Sequence, residues 1–456
     1  MFKKFTNGCV NVINRWLPDP FLFAIILSIV VYIFAMLGTH QGPVTMLQSW
    51  GNASGFWNLL AFSMQMALVL VLGSAMASAP VFKNFLAKIA AMAKDKKSAI
   101  VITTFVSVIC CWLNWGFGLI AGALLAKEMA KRIRDVDYRL LIASAYSGFV
   151  IWHAGLSGSI PLTISGGYTI GEATYQAGTN ETIFHPMNLI MCGIVLVAMP
   201  FVNWAMHPDA ANTITVDPAL LEDNKDKVYE IKTPADKLEH SKILWAITVI
   251  AGLLWVVLYF KGIVATKGAA AIPNALNLNV VNFIFLFLGL LMHGDIRRYV
   301  DAIGEAASGA AGIILQFPFY AGIMGMMVAA NADGVSLAGI ISDFFVSIST
   351  STTFPLWTFL SAGVVNFFVP SGGGQWAVQG PIVMPAAAKM GIEPGRAGMA
   401  IAWGDQWTNM IQPFWALPAL GVAGLSAKDI MGFLVVVLIF TGIVACGGFL
   451  AWAAFF

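Results

Sequence analysis

The chain has 456 residues, of which 59% are hydrophobic and 11% are charged, and its formal net charge at pH 7 is +2. Soluble globular proteins carry about 25% charged residues, so this composition excludes a water-soluble globule. A net charge this small provides no basic field for nucleic acid, and we expect no nucleic-acid partner. The apolar residues come in long runs, which predicts an all-α polytopic membrane protein surrounded by the lipid bilayer.

Seven apolar runs are long enough to cross the bilayer core, which takes about 20 helical residues. In chain order they are Phe21–Leu37, Leu59–Ala77, Leu140–Ile164, Met187–Met206, Ile243–Phe260, Ala306–Ala330 and Ile430–Phe455. Val280–Met292 is shorter, and Met399–Leu425 is interrupted. The first run is too long for the apolar part of a signal peptide, and no small-residue cleavage site follows it, so we interpret it as a membrane span.

Two further regions, 98–132 and 354–390, each consist of two short apolar arms around a glycine-rich break. The breaks lie at residues 114–118 and 370–374. An arm of about 14 residues rises only about 21 Å as a helix, which is too short to cross the membrane. We therefore predict two re-entrant hairpins whose tips lie inside the protein at membrane depth, where irregular backbone is tolerated if it lines a cavity.

When the predicted spans and hairpins are threaded through the membrane in chain order, most basic residues fall on one side of it. That side receives 21 of the 25 Lys and Arg residues, and the other side receives Lys261, Lys267, Lys389 and Arg396. The positive-inside rule makes the first side cytoplasmic. The N-terminus and the polar segment 207–242 are then cytoplasmic, the C-terminus is periplasmic, and the two hairpins open toward opposite sides.

The order span, span, surface helix, hairpin, broken span, span occurs twice. Gln65 precedes Asn114 of the first tip by 49 residues, and Gln316 precedes Asn366 of the second tip by 50. We predict two inverted repeats, an organisation typical of secondary transporters, in which discontinuous helices meet at the bilayer midplane. The predicted domains are an N-terminal repeat (1–206, with hairpin 98–132 and broken helix 140–165), a cytoplasmic linker (207–242), a connecting transmembrane helix (243–260) and a C-terminal inverted repeat (261–456, with hairpin 354–390 and broken helix 399–425).

The hairpin tips hold candidate ligands for a small anion. A helix N-terminus presents free N–H groups and a partial positive charge, and glycines let a ligand approach the backbone. Asn114 and Asn366 can offer an amide donor to the substrate or a carbonyl oxygen to a coupling cation. Close helix packing is the alternative explanation for the glycines. The remaining predicted tip residues are Gly116 and Gly118 in the first tip and Ser371, Gly372, Gly373, Gly374 and Gln375 in the second.

Asp405 and His153 are the candidate groups for ion coupling. Asp405 lies deep in an apolar region with no adjacent Lys or Arg, and a carboxylate there is functional by default. It is predicted to bind a coupling Na⁺ or to carry a proton, the alternative being a structural carboxyl group. His153 is predicted to carry a proton or donate to the substrate, the alternative being a satisfied hydrogen-bonder. Ser157, Thr408 and Asn409 complete the predicted substrate site.

The predicted site contains no Lys or Arg. A dianion or trianion there would be poorly compensated, whereas helix dipoles and amides can hold a monoanion, which favours a small monocarboxylate with a short apolar tail. The sequence contains no CxxC or HExxH spacing, so we predict no cofactor and no metal beyond a coupling Na⁺.

Several runs resemble the bacterial short-chain fatty acid transporter family, typified by acetoacetate and butyrate uptake permeases. They are RWLPDPFLFAIILS, FWNLLAFSMQMAL, NWGFGLIAGALLAKE, ILQFPFYAGI, VNFFVPSGGGQWAVQGP and GDQWTNMIQPFWALPAL. The resemblance implies the inner membrane of a bacterium, a scaffold and a moving transport domain that works as an elevator, and a homodimer. The Ser-Asn-Thr hairpin motif of dicarboxylate-transporting relatives is absent. Asn114 and the Ser371 tip stand in its place, so the two-sodium scheme of those relatives does not carry over.

The leading functional hypothesis is a secondary active transporter that takes up short-chain monocarboxylates such as acetoacetate or butyrate by symport with H⁺ or Na⁺. One alternative is a symporter or exchanger for other small organic anions such as dicarboxylates. The second alternative is a membrane-embedded enzyme, which would need an acid–base pair, a nucleophile dyad or a metal cluster. The sequence offers only Asp405 and His153, without evident partners, so we expect no enzymatic activity.

Overall fold

The computed structural model describes residues 20–170, 172–221, 229–366, 369 and 371–456 of the chain. The first 19 residues, part of the polar linker and three residues of the second tip, Pro370 among them, lie outside the described residues. The described part is nearly all helical and contains one two-stranded antiparallel sheet. The helical prediction is therefore confirmed, and the small β-hairpin is an addition to it.

The first half of the chain contains nine α-helices in its described part. In chain order the elements are α1 (Pro20–Thr39), α2 (Pro43–Gly51), α3 (Leu60–Ala77), α4 (Pro80–Ala90), α5 (Lys96–Leu113), α6 (Trp115–Arg132), α7 (Tyr138–Ser147), a 3-10 helix (Gly148–Ala154), α8 (Ser159–Ser165), β1 (Tyr168–Ile170), β2 (Ala173–Tyr175), a 3-10 turn (Thr179–Glu181) and α9 (Pro186–Ala205).

A polar connection and the second half follow. The elements are 3-10 turns (Ala210–Asn212, Pro218–Leu221), α10 (Pro234–Glu239), α11 (Lys242–Lys267), 3-10 turns (Ala269–Ala271, Pro273–Ala275), α12 (Leu278–His293), α13 (Ile296–Ala307), a 3-10 turn (Ser308–Ala310), α14 (Ala311–Val328), α15 (Leu337–Ile348), α16 (Phe354–Val365), α17 (Gly372–Lys389), α18 (Pro394–Thr408), a 3-10 turn (Asn409–Ile411), α19 (Pro413–Ala423) and α20 (Ala427–Phe455).

Seven helical stretches of the described residues are long and apolar enough to cross a membrane. Six of them coincide with predicted spans, and the seventh, Lys96–Leu113, is an arm of the first predicted hairpin. The chain is therefore a multi-pass membrane protein. The short helices α2 and α13 were not predicted, and α13, with its charged face, lies against α3.

The arms of the first hairpin are longer than expected. Both α5 and α6 have 18 residues, which corresponds to about 27 Å, so the predicted arm length of about 14 residues is wrong. Each helix continues past its apolar part: Asp95 and Ser98 form a capping box that starts α5, and the basic end of α6 runs to Arg132. The two arms pack against each other, and only Asn114 separates them.

The arms of the second hairpin differ in length and partners. Helix α16 has 12 residues and α17 has 18. Helix α16 packs mainly against α18, whereas α17 packs against α14, α15 and α18. Ser371 begins α17, and its hydroxyl accepts a hydrogen bond from the N–H of Gly374.

The core of the molecule lies where the two interrupted helices meet. One runs from α7 through the 3-10 helix Gly148–Ala154 to α8, and the other runs from α18 through the 3-10 turn Asn409–Ile411 to α19. Helix α8 and the 3-10 helix pack against α18, and α19 packs against α6. By contrast, α11 packs mainly on α12 and exposes most of its surface.

Candidate coupling and substrate site

Asp405 and His153 form a buried pair. The Nδ1 atom of His153 lies 2.8 Å from Oδ2 of Asp405, and both side chains are completely buried. His153 comes from the 3-10 helix of the first interrupted helix and Asp405 from α18. The expectation that these two groups lack partners is wrong. Each is the partner of the other, and the 252 residues between them conceal the contact in the sequence.

The contacts on the other ring nitrogen assign the tautomer of His153. Its Nε2 atom lies 3.0 Å from the backbone nitrogen of Ile160 and 2.9 Å from Oγ of Ser159. A backbone N–H only donates, so Nε2 accepts and the ring proton resides on Nδ1. The neutral imidazole therefore donates its Nδ1–H to the carboxyl group of Asp405.

The second carboxyl oxygen of Asp405 has no hydrogen-bond partner. Its Oδ1 atom is buried, and no donor within the described part of the chain reaches it. A buried carboxylate that accepts a single hydrogen bond from a neutral group is costly, because its charge is neither solvated nor paired. Oδ1 is therefore the position at which this site can take up a proton or a cation.

Amide side chains fasten the first helix break to the second half of the chain. Oε1 of Gln406 accepts the backbone N–H groups of His153 and Ala154, at 2.9 and 3.1 Å. Asn188 donates to the carbonyl of Ala154 at 3.1 Å and accepts from the indole of Trp403 at 2.9 Å. Backbone groups released by a helix break need such partners when they are buried. The position of His153 is thus fixed from both halves.

Asn409 has a similar role in the second break. Its backbone carbonyl accepts the hydroxyl of Tyr146 at 2.8 Å, and its side-chain oxygen accepts the indole N–H of Trp152 at 2.9 Å. Its Nδ2 atom is buried without a hydrogen-bond partner among the described residues. Asn409 therefore keeps an amide donor available while its oxygen holds the two halves together.

The second tip brings Asn366, Thr408 and Gln375 together. Nδ2 of Asn366 donates to Oγ1 of Thr408 at 2.9 Å, and that hydroxyl donates to the carbonyl of Gly363 at 2.9 Å. Gln375 donates to the carbonyl of Ala362 at 2.9 Å. The side-chain oxygens of Asn366 and Gln375 are buried and unbonded within the described residues. Both belong to the group type that binds Na⁺.

The glycines of the second tip pack tightly against neighbouring side chains. A Cβ on Gly372 would lie 2.5 Å from Cε1 of His153, and one on Gly374 would lie 2.5 Å from the ring of Tyr320. A Cβ on Gly373 would lie 2.8 Å from each of two phenylalanine rings. Close packing alone therefore requires glycine at these positions, and an anion cradle there remains a prediction. Gly372 nevertheless places the start of α17 directly against His153.

The first tip forms a separate cluster. Asn114 ends α5 and caps α6, since its Oδ1 accepts the N–H of Phe117 at 2.9 Å. Ser157 accepts the N–H of Trp115 at 3.0 Å, so it holds the tip backbone. A Cβ on Gly116 or Gly118 would meet backbone of a neighbouring helix within 3.0 Å. Asn114 has a buried, unbonded amide nitrogen among the described residues.

Aromatic rings fill the space between the first tip and the second interrupted helix. The ring centroid of Trp115 lies 5.2 Å from that of Trp415 and 5.7 Å from that of Trp152, and Phe149 stacks on Trp152 at 5.5 Å. This cluster gives the region beside the polar network an apolar wall.

Sequence reasoning missed Gln406 and Asn188 as members of the polar network, whereas Ser159 is expected from the sequence to face the same helix break as His153 and does so. Gln406 carried a weak signal, since it adjoins Asp405, but nothing in the sequence indicated which helix it contacts. In the described part of the chain no three His, Cys, Asp or Glu residues come together in a way that could hold a metal ion. Asp405, Asn366 and Gln375 each have a buried side-chain oxygen that is unbonded within the described residues and of a type that a monovalent cation can use.

Known proteins are similar to this chain along almost its whole length. The family model described as short chain fatty acid transporter matches residues 1–452. A candidate short-chain fatty acid transporter of Escherichia coli is 40% identical over 450 residues, covering 97% of this chain and 98% of that protein. A protein of Haemophilus influenzae with the same description is 41% identical over 457 residues, with the same coverage.

A solved structure shares the fold. The crystal structure of the YdaH transporter of Alcanivorax borkumensis, described as having an unusual topology, superposes with a TM-score of 0.57 over 96% of this chain and 98% of that one, at 16% sequence identity. At this identity the likeness concerns the fold alone. The family match and the two relatives confirm the resemblance found in the sequence, and the chain belongs to the short-chain fatty acid transporter family.

Proposed function

We propose that the protein is a secondary active transporter that takes up short-chain monocarboxylates, such as acetoacetate or butyrate, across the bacterial inner membrane in symport with a cation. The observation that carries the proposal is the buried His153–Asp405 pair, which joins the two interrupted helices and leaves one carboxyl oxygen open. A binding group that spans two moving segments can link occupancy to conformation.

The packing pattern supports two structural repeats. Helix α3 packs against α6, and α14 packs against α17. The surface helix α4 packs against α3 and α6, and the surface helix α15 packs against α14 and α17. Helix α5 crosses the first interrupted helix where Gly148 touches Ser107, and α16 crosses the second where Gly404 touches Phe359. In the proposed scheme, α11 crosses the membrane once between the repeats and thereby inverts the second one. The hairpins and interrupted helices form the transport domain, which moves as in an elevator. The protein assembles as a homodimer.

The ends of the first hairpin support the part of the proposed topology that places both of them on one membrane face. Lys96 at the start of α5 forms a 3.0 Å ion pair with Asp135, which lies just beyond the end of α6. Two ends that touch lie on the same membrane face. Cysteine labelling should find positions 97 and 134 accessible from the same side, and labelling from opposite sides would overturn the proposed topology.

Charge favours a monoanionic substrate. Arg396 is the nearest basic residue along α18, nine positions before Asp405, and it is ion-paired at 3.0 Å with Glu393. Asn114 and Asn409 each have a buried, unbonded amide nitrogen that can donate to a carboxylate, and the Trp115 cluster can cover a short apolar tail. A dicarboxylate would bring a second charge into a region without a compensating cation.

The geometry favours a proton as the coupling ion. The Ile160 N–H occupies the Nε2 lone pair of His153, so the acceptor left for an entering proton is Oδ1 of Asp405. Sodium is the runner-up, and the amide oxygens of Asn366 and Gln375 are its candidate ligands. A Na⁺ site usually requires several oxygen ligands around one point, whereas a proton requires only one acceptor.

A membrane enzyme is the second candidate, because Ser159, His153 and Asp405 are connected in the order of a catalytic triad. Two contacts argue against it. The Ile160 N–H already occupies the lone pair of Nε2 that would have to accept the serine proton, and a Cβ on Gly372 would lie 2.5 Å from the Ser159 hydroxyl, which leaves little space for a substrate carbonyl. Ser159→Ala should therefore retain transport. An esterase activity that is present in the wild type and absent in Ser159→Ala would favour the enzyme.

The decisive experiment is uptake of radiolabelled acetoacetate by the purified protein in liposomes with an imposed proton or sodium gradient. We expect concentrative uptake driven by the proton gradient, competition by butyrate and little competition by a dicarboxylate. Protein-free liposomes measure passive diffusion of the neutral acid. Uptake driven only by sodium would move the coupling role to Asn366 and Gln375, and uptake at the level of empty liposomes for every monocarboxylate would reject the proposal.

A further inference from the structure

A cavity of about 540 Å³ lies at the base of the first hairpin, between the start of α5, the end of α6 and the end of α9. Five basic side chains and two aspartates line it. Lys96 is paired with Asp135 at 3.0 Å, and Asp95 accepts the N–H and the hydroxyl of Ser98. Both aspartates thus already have partners within this chain. Among the described residues, Lys94, Lys97, Arg132 and Arg134 form no close ion pair, although the charge of Lys97 also helps to lower the pKa of Asp95.

An exposed apolar stripe on α9 leads into this cavity. Its members follow one another at intervals of four, three, four and three residues, so they share one face of the helix. Each is between 40% and 63% exposed. They are Ile190, Ile194, Val197, Phe201 and Trp204. Because α9 is one of the helices suited to cross the membrane, this stripe faces lipid.

Trp204 joins the stripe to the basic cavity. It lines the cavity, and Nζ of Lys97 lies 4.1 Å from the centroid of its ring. Tryptophan is enriched where the apolar core of a membrane meets the headgroups, and a cation over its ring is stabilised at the same place. The basic cavity therefore lies at headgroup level, at the end of a surface that acyl chains contact.

We propose that this cavity binds the phosphate of an anionic phospholipid. The phosphate lies among Lys97, Arg132 and Arg134, and the acyl chains run along the α9 stripe. Basic pockets beside transmembrane helices recognise anionic headgroups, and the basic side chains of this cavity are opposite in charge to a phosphate. A free phosphate would satisfy the cations but would leave the adjoining apolar stripe without a role. The proposal is independent of the transported substrate.

Thermal unfolding in nanodiscs tests the site. The full-length protein is placed in phosphatidylcholine nanodiscs with increasing phosphatidylglycerol, and its melting temperature is recorded. We expect saturable stabilisation of the wild type. The variant Arg132→Gln/Arg134→Gln should need at least about tenfold more phosphatidylglycerol for the same shift. The control Lys88→Gln/Lys237→Gln removes the same charge from exposed positions outside the cavity and should behave as the wild type.

Two further measurements distinguish a bound lipid from a free anion and cover the case in which the double variant folds poorly. Inorganic phosphate added to phosphatidylcholine nanodiscs should not raise the melting temperature, and an equal shift with phosphate would replace the lipid by a free anion. Lys97→Gln, a single change at an exposed position, should weaken the response even if the double variant folds poorly. An unchanged phosphatidylglycerol response in Lys97→Gln, or an equal loss in the Lys88→Gln/Lys237→Gln control, would overturn the site.

Discussion

The two helix breaks are built alike but carry different chemistry. Gly148 and Gly404 each lie where a hairpin arm crosses an interrupted helix, yet the next residue is Phe149 in the first break and Asp405 in the second. The imidazole is supplied by the first break and the carboxyl group by the second, and each break is also held by side chains of the other half. The comparison shows that the two residues of the buried pair come from different breaks, so that the pair forms only when the two interrupted helices meet.

The two hairpin tips likewise differ in their polar groups. The first is closed by Asn114 alone, whose oxygen caps α6. The second lies between α16 and α17, and the side-chain oxygens of Asn366 and Gln375 on its two sides are unbonded within the described residues. The described part of the second tip therefore offers acceptor oxygens, whereas the first tip offers the amide nitrogen of Asn114. The following substitutions test this division.

The largest effect is expected for Asp405→Asn, which keeps the size of the side chain but removes its charge. Gradient-driven accumulation in liposomes should fall to the level of protein-free liposomes. Counterflow of substrate should survive if the coupled species is a proton, because Asn resembles the neutral acid, and should fail if it is Na⁺. Full accumulation by this variant would make the carboxyl group structural.

His153→Ala should be the next most severe change. It removes the donor to Asp405, and a hydrogen bond to a charged group contributes about 1.5–3 kcal/mol, so we expect uptake to fall roughly ten- to hundredfold with an altered pH profile. The double variant with Asp405→Asn should be no worse than Asp405→Asn alone, because the two residues act as one unit. Additive losses would show that the pair is not functionally coupled.

Gly373→Ala separates packing from anion binding at the second tip. The added methyl group would collide with Phe317 and Phe62, so the variant should lose about 1–3 kcal/mol of stability in thermal unfolding. Gly193→Ala is the control, because a Cβ there meets nothing within 4 Å. Uptake lost at an unchanged melting temperature would instead favour the predicted anion cradle.

The smallest effects concern the helix caps. Asn114→Ala should cost about 1 kcal/mol of stability through the lost cap of α6. Ser371→Ala should cost less, because the distance from its hydroxyl to the Gly374 nitrogen is 3.3 Å, compared with 2.9 Å for the Asn114 cap. Thermal unfolding in detergent measures both. A greater loss for Ser371→Ala would reverse the assigned difference between the tips.

The sequence by itself determined the membrane class, six of the spans and the family. These features are local or additive: a run of some 20 apolar residues is stable in lipid only as a helix, whatever it packs against. The same local reasoning underestimated the arms α5 and α6, because capping and charged residues extend a helix beyond its apolar part.

The tertiary structure alone decided how the polar residues are paired. Asp405 stood out in the sequence because burial of a carboxylate is costly, but the sequence could not name His153 as its partner or Gln406 as the residue that holds the break. The partners are more than 250 residues apart. Their contact depends on how two interrupted helices cross, and that crossing is set by the packing of glycines and aromatic rings in many helices at once.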